Sequence, residues 1–199
     1  MPDTLSNDLK SLPNILSLSR VFIIPFIVVL FEILRYTAPS HIASLELISF
    51  ICAVLFGIGG LTDFFDGYFA RKYKGTTNLG KLLDPLSDKL LIATTMIMLV
   101  SIHRLHAWIV VLIIGREIAV TGLRALSASS GTIIPASLEG KYKTNFQIAA
   151  VFALLVHYTY FGVNFQRVGM LFAWIALFVT LWSGVNYFIN FSNTLKTEV

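Results

Sequence analysis

The chain has 199 residues, of which 56% are hydrophobic and only 13% charged. A water-soluble domain carries about 25% charged residues, so the composition excludes one and points to an integral membrane protein. The formal net charge of +4 does not call for a nucleic-acid partner, because the basic residues flank apolar runs, where orientation bias and anionic lipid account for them.

Residues 1–14 form a polar leader in which Leu5, Leu9 and Leu12 recur at i, i+4 and i+7. That spacing fits a short amphipathic helix on the membrane surface, with a frayed terminus as the alternative. Six apolar stretches follow, near 15–35, 43–66, 83–102, 107–127, 145–163 and 168–191. Each is long enough to cross the hydrocarbon, which takes about 20 residues at a rise of about 1.5 Å. The expected fold is therefore an all-α integral membrane protein of six transmembrane helices, spanning 15–191, with a short N-terminal interfacial segment and a tail at 192–199. Pro25 falls inside the first span, and Cys52 reads as a small core hydrophobe in the second. Short connections near 36–42, 103–106 and 164–167 make helical hairpins. Longer ones at 67–82 and 128–144 carry Gly, Ser, Thr and Lys and read as working loops.

Six spans place both termini on one side. Of the 15 basic residues, Arg35, Arg104 and Arg167 fall on the far side and all the others on the terminal side. Both termini and the second connection are thus expected in the cytoplasm. Trp108 and Trp182, near span ends, suit the membrane interface.

The chemistry concentrates at that second connection. Asp63 and Asp66 lie three apart, and Asp84 and Asp88 four apart, so each pair occupies one face of a helix. Like charges so placed repel and are poorly solvated near a bilayer. A divalent cation would offset both costs, and hard oxygen donors without His or Cys suit Mg²⁺ or Mn²⁺ rather than Zn²⁺. Two such ions about 3.5–4 Å apart would form a phosphoryl-transfer clamp. Gly67, Ala70 and Gly80 leave room for a phosphate or nucleotide to approach the backbone, and Arg71 adds a phosphate fork. Singly, these residues have plainer explanations: Asp84-Pro85 reads as a helix start and Gly67 as a helix C-cap. Those explanations leave Asp63, Asp66 and Asp88 unaccounted for.

The pattern D-x2-D-G-x2-A-R-x8-G-x3-D-x3-D, from Asp63 to Asp88, resembles the signature of the CDP-alcohol phosphatidyltransferases at every fixed position. The resemblance implies an enzyme of six membrane helices, usually dimeric, that moves a phosphatidyl group from a CDP-linked lipid to an alcohol and releases CMP. It further implies that Asp63, Asp66 and Asp84 are metal ligands and that Asp88 is the base and a further ligand. Gly67, Ala70, Arg71 and Gly80 would line the CDP site, with Asn14 and Arg20 close to it.

The acceptor is addressed by other polar positions. Arg116, Glu117 and Arg124 interrupt the fourth apolar stretch and should face a cavity. Arg124, with Lys141 and Lys143 at the start of the fifth span, makes a cationic pocket suited to an alcohol that carries its own phosphate. From charge alone, a positive-inside cluster fits as well, and Arg116 and Glu117 can equally be paired with neighbouring helices. The runs Leu12-Pro13-Asn14-Ile15-Leu16-Ser17-Leu18-Ser19-Arg20, Gly115-Arg116-Glu117-Ile118 and Gly140-Lys141-Tyr142-Lys143-Thr144 resemble the branch of that family in which CDP-diacylglycerol is the donor and sn-glycerol 3-phosphate the acceptor. Lys89 reads as a snorkelling helix residue.

Two rivals remain in view. One keeps the chemistry and changes the alcohol to serine, inositol phosphate or phosphatidylglycerol. The other is an ion transporter, which would set its acids near mid-span in broken helices. Asp63→Asn and Asp84→Asn are expected to abolish CMP release from CDP-diacylglycerol almost completely; full activity in either variant would return the aspartates to a structural role.

Overall fold

The computed structural model describes residues 12–73, 78–129 and 139–197, with side chains described over 19–62, 86–127 and 142–192. Six helices occupy these residues: α1 (Leu12–Tyr36), α2 (Ile42–Tyr73), α3 (Asn78–Ser101), α4 (Ala107–Ser129), α5 (Glu139–Val156) and α6 (Phe165–Thr197). They match the six apolar stretches one for one. Among the described residues, two segments, Ile42–Thr62 and Phe165–Ser192, are long and apolar enough to cross a membrane.

The helices bury one another's apolar stripes. On α1 the buried apolar residues are Ile27, Phe31 and Leu34, at i, i+4 and i+7. They join Cys52, Ala53 and Phe56 of α2, Leu91, Met96 and Leu99 of α3, and Val151, Leu154 and Leu155 of α5 in one core. The opposite face of α1 presents Phe22, Phe26, Val29 and Ile33 outward. Outward α6 residues include Leu171, Trp174, Phe178 and Val185. Apolar faces this large and this exposed suit lipid rather than water. Helix α5 touches α2, α3 and α6, and α1 packs on both α2 and α3. Trp108 of α4 meets Trp174 of α6 edge-on, with ring centroids 5.2 Å apart.

Three sequence expectations need correction. The connection 67–82 is mostly helical, because α2 runs on to Tyr73 and α3 already starts at Asn78. Nothing between Asp63 and Tyr73 breaks a helix, since one interior Gly costs only about 1 kcal/mol. Likewise α4 continues to Ser129 and α5 begins at Glu139. The fifth span does not reach 163: α5 ends at Val156, where His157 turns left-handed at φ 61°. A two-residue β-hairpin follows, β1 (Thr159–Tyr160) pairing antiparallel with β2 (Val163–Asn164). Its turn residues Phe161 and Gly162 both take positive φ, 52° and 78°, which matches the twist of a tight hairpin. Asn164 then caps α6, its side-chain oxygen accepting from the Arg167 amide at 2.9 Å.

Arg104, in the short connection at 103–106, is buried and ties this end together. Its guanidinium donates to Ser49 Oγ on α2 at 2.8 Å and to the Leu155 carbonyl at 3.2 Å, and lies 5.7 Å from the Tyr158 ring centroid. Its own carbonyl accepts from Gln166 Nε2 at 3.0 Å, and Gln166 in turn bonds His157. Burial beside the Arg104 charge pushes the His157 imidazole below its ordinary value. Arg104→Ala would remove two charge-assisted bonds at once. It is expected to cost about 3 kcal/mol or more, read as a lower melting temperature in detergent, with substrate KM values unchanged in the folded fraction.

Candidate functional site

The backbone settles how the aspartate signature is carried. Asp63, Asp66, Gly67, Ala70 and Arg71 all lie within α2, and Gly80 and Asp84 within α3. Gly67 is therefore not a C-cap, since its helix runs six residues further, and Asp84 is not an N-cap, since its helix begins at Asn78. With those explanations gone, the acids stand on two helices that touch each other and both touch α1. The side chains of these residues lie outside the described residues, as do those of Asn14 on α1 and Lys141 on α5. As a donor set, four carboxylates and no soft ligand fit a hard divalent cation.

Asp88 is described, and its partner is Arg20. The guanidinium, fully buried on α1, forms an ion pair with Asp88 Oδ1, while a third of the Asp88 side chain stays open. An arginine so far from water needs an anion beside it, and α3 supplies one to α1 through this contact.

Asp88 also lines a cavity of about 740 Å³ between α3, α4 and α5. Most of its wall is apolar, with Leu90, Met96, Ile113 and Ile118 prominent, and its polar groups include Asp88, Lys89, Glu117, Thr121 and Gln147. Glu117 organises that polar part. Its carboxylate takes the ammonium of Lys143 from α5 and, at 3.4 Å, Arg116 Nη1. Arg116 Nη2 continues to Ser183 Oγ on α6 at 2.8 Å. Its stem lies against Gly184, where an added Cβ would stand 2.9 Å from Arg116 Cγ. A larger residue there would push the guanidinium off its partner. Gln147 Nε2 reaches Thr180 Oγ1 on α6 at 3.3 Å.

Of the residues expected to hold the acceptor, the structure joins Arg116 and Lys143 through Glu117. Arg124 is separate and exposed, its guanidinium carbon 5.5 Å from the Tyr187 ring centroid on α6. Lys89 is exposed, and its ammonium donates to Thr121 Oγ1 at 2.8 Å. Reasoning from sequence missed Thr121, Thr180 and Ser183. A signal existed on α6, where Thr180, Ser183 and Tyr187 recur at i, i+3 and i+7 and all are buried. Among the described residues no group of three or more His, Cys, Asp or Glu side chains forms a metal cluster.

Residues 10–182 match the model of the CDP-alcohol phosphatidyltransferase family. A Bacillus subtilis protein named CDP-diacylglycerol–glycerol-3-phosphate 3-phosphatidyltransferase is 41% identical over 196 residues, covering 94% of this chain and 98% of its own length. Proteins of the same name from Rickettsia typhi and Haemophilus influenzae are 37% and 34% identical, covering 90% and 89% of this chain and 96% and 91% of their own lengths.

Removing Glu117 would leave Lys143 buried without its counter-charge. Glu117→Gln is expected to cost about 3 kcal/mol, and adding Lys143→Met should recover part of it, with a coupling above about 1 kcal/mol. Denaturant or thermal unfolding of the two single variants and the double variant in detergent measures this; additive losses would dissolve the pair.

Proposed function

The chain belongs to the CDP-alcohol phosphatidyltransferase family, and from that premise we propose that it transfers the phosphatidyl group of CDP-diacylglycerol to sn-glycerol 3-phosphate, giving phosphatidylglycerophosphate and CMP. The observation that carries the acceptor is the charge beside the cavity. Arg116 and Lys143 both pair with Glu117, and Glu117 lines the same cavity as Asp88. A phosphorylated alcohol offers such cations charge-assisted hydrogen bonds. Serine needs no phosphate-binding lysines. The full-length relatives named for glycerol 3-phosphate support the same choice.

Asp63, Asp66, Asp84 and Asp88 would hold the metal, as two Mg²⁺ or Mn²⁺ ions. Bound there, such ions would neutralise the diphosphate and ease the departure of CMP. Asp88 takes the proton of the acceptor hydroxyl, and Arg20 fixes the carboxylate that receives it. The freed oxygen bonds to the β-phosphorus in line as the bond from that phosphorus to the CMP oxygen breaks. Arg71, with Gly67, Ala70, Gly80 and Asn14, binds the CDP moiety. Arg116, Lys143, Lys141 and Arg124 bind the acceptor phosphate. The apolar wall of the cavity suits acyl chains.

In this reading all six helices cross the cell membrane, both termini and the site face the cytoplasm, and two copies form a dimer. The outward apolar faces of α1 and α6 and the skew of basic residues toward the terminal side support the arrangement. Purified protein with CDP-diacylglycerol and Mg²⁺ is expected to release CMP only when glycerol 3-phosphate is present. Chelation of the metal or Asp88→Asn should abolish the release. Equal release with serine or inositol phosphate would overturn the acceptor; release that survives chelation would overturn the metal.

A further inference from the structure

Gln147 on α5 is only 4% exposed, yet it stands in the wall of the cavity that Asp88 and Glu117 also line. Its amide nitrogen donates to Thr180 Oγ1 of α6 at 3.3 Å. Among the described residues, nothing donates to its Oε1. The nitrogen also carries a second N–H beside the one that Thr180 takes. A tie between two helices needs one of these groups, and the amide brings three. A buried acceptor without a partner costs free energy, and the Leu, Ile and Met side chains that make much of the wall offer no hydrogen bond. Gln147 follows Lys143 by four residues, so both lie on one face of α5, about 6 Å apart along its axis. The Lys143 ammonium is in turn held at Glu117.

We propose that Gln147 is the hydroxyl-reading residue of the acceptor site: its amide receives the hydroxyl of the phosphorylated alcohol that does not react. The hydrogen-bonding capacity of the amide carries the assignment. A hydroxyl donates to Oε1 and accepts from the spare Nε2–H. An ester carbonyl of the donor lipid only accepts, an ammonium only donates, and an acyl chain does neither. Placement agrees with this. With the acceptor phosphate at Lys143 and the reacting hydroxyl at Asp88, the remaining polar group of a three-carbon alcohol falls to Gln147, one turn along α5 from Lys143. The inference rests on the reaction proposed above. It adds the chemical feature, a second hydroxyl, by which this site tells one phosphorylated alcohol from another.

Steady-state kinetics of the full chain in detergent test it with two acceptors. One is glycerol 3-phosphate; the other is 3-hydroxypropyl phosphate, which keeps the phosphate and the reacting hydroxyl and lacks the middle one. The wild type is expected to prefer glycerol 3-phosphate by about tenfold or more in kcat/KM. Gln147→Met, unbranched and of similar length, should erase that preference by raising KM for glycerol 3-phosphate, with KM for CDP-diacylglycerol unchanged. Gln147→Asn keeps the amide but withdraws it, and should narrow the preference in the same direction; it reads the same ratio should Gln147→Met fail to fold. A wild type that uses both acceptors equally well would overturn the proposal without any variant. So would a preference that survives in the folded variants, an equal loss with both acceptors, or a rise confined to KM for CDP-diacylglycerol. Failure of the underlying reaction shows separately, in the wild type, as CMP release that depends on neither acceptor.

Discussion

Glu117 holds the polar side of this bundle together. A carboxylate on α4 takes a lysine from α5 and the arginine next to it, and that arginine reaches a serine on α6. Through its backbone carbonyl the same residue steadies Thr121 and, through it, Lys89 of α3. Four helices are thereby cross-linked at one residue, in surroundings where an unpaired charge costs several kcal/mol. The pairing of Arg20 with Asp88 repeats the device between α1 and α3. Each of these contacts fixes a charged group beside the cavity, and where the proposed reaction uses that group, stability and preorganisation come from the same contacts.

The two ends of the bundle are built differently. The hairpin end is closed by Arg104, Ser49, Gln166 and His157, with every bond internal. The other end concentrates charge beside a cavity and keeps Asp88 partly open. A rigid end and a receptive end suit an enzyme that must admit both a lipid and a water-soluble alcohol while keeping its carboxylates in register.

Much of this was legible in the sequence. Six apolar runs became six helices because the hydrophobic signal is long and summed over many residues. The aspartate signature was legible because its acids are costly to keep without a purpose. The helix ends were less so. His157 and Phe161 adopt positive φ, which bulky residues rarely do and which no local pattern announced, so the fifth stretch looked longer than α5 is. Partners were the least legible. Arg104 with Ser49, Arg116 with Ser183 and Lys89 with Thr121 are separated by 55, 67 and 32 residues in the chain. Such pairs exist only once the helices are packed. Lys89 shows the consequence: its exposed ammonium bonds Thr121 on the next helix, a partner that spacing in the sequence does not announce.

The starting point of α4 fixes how deep the charges sit. From Ala107 to Glu117 the helix climbs ten residues, about 15 Å, and from Asp88 to Ser101 α3 climbs thirteen, about 20 Å. With the bundle set across a bilayer as proposed, whose hydrocarbon is about 30 Å thick, Glu117 and its cations lie near mid-depth and Asp88 well below the cytoplasmic headgroups. The nucleotide head of the lipid must then sink below its neighbours, and the free acceptor must descend to meet it. Sensitivity of turnover to bilayer thickness follows, since a thicker membrane lengthens that descent while the protein's own dimensions stay fixed.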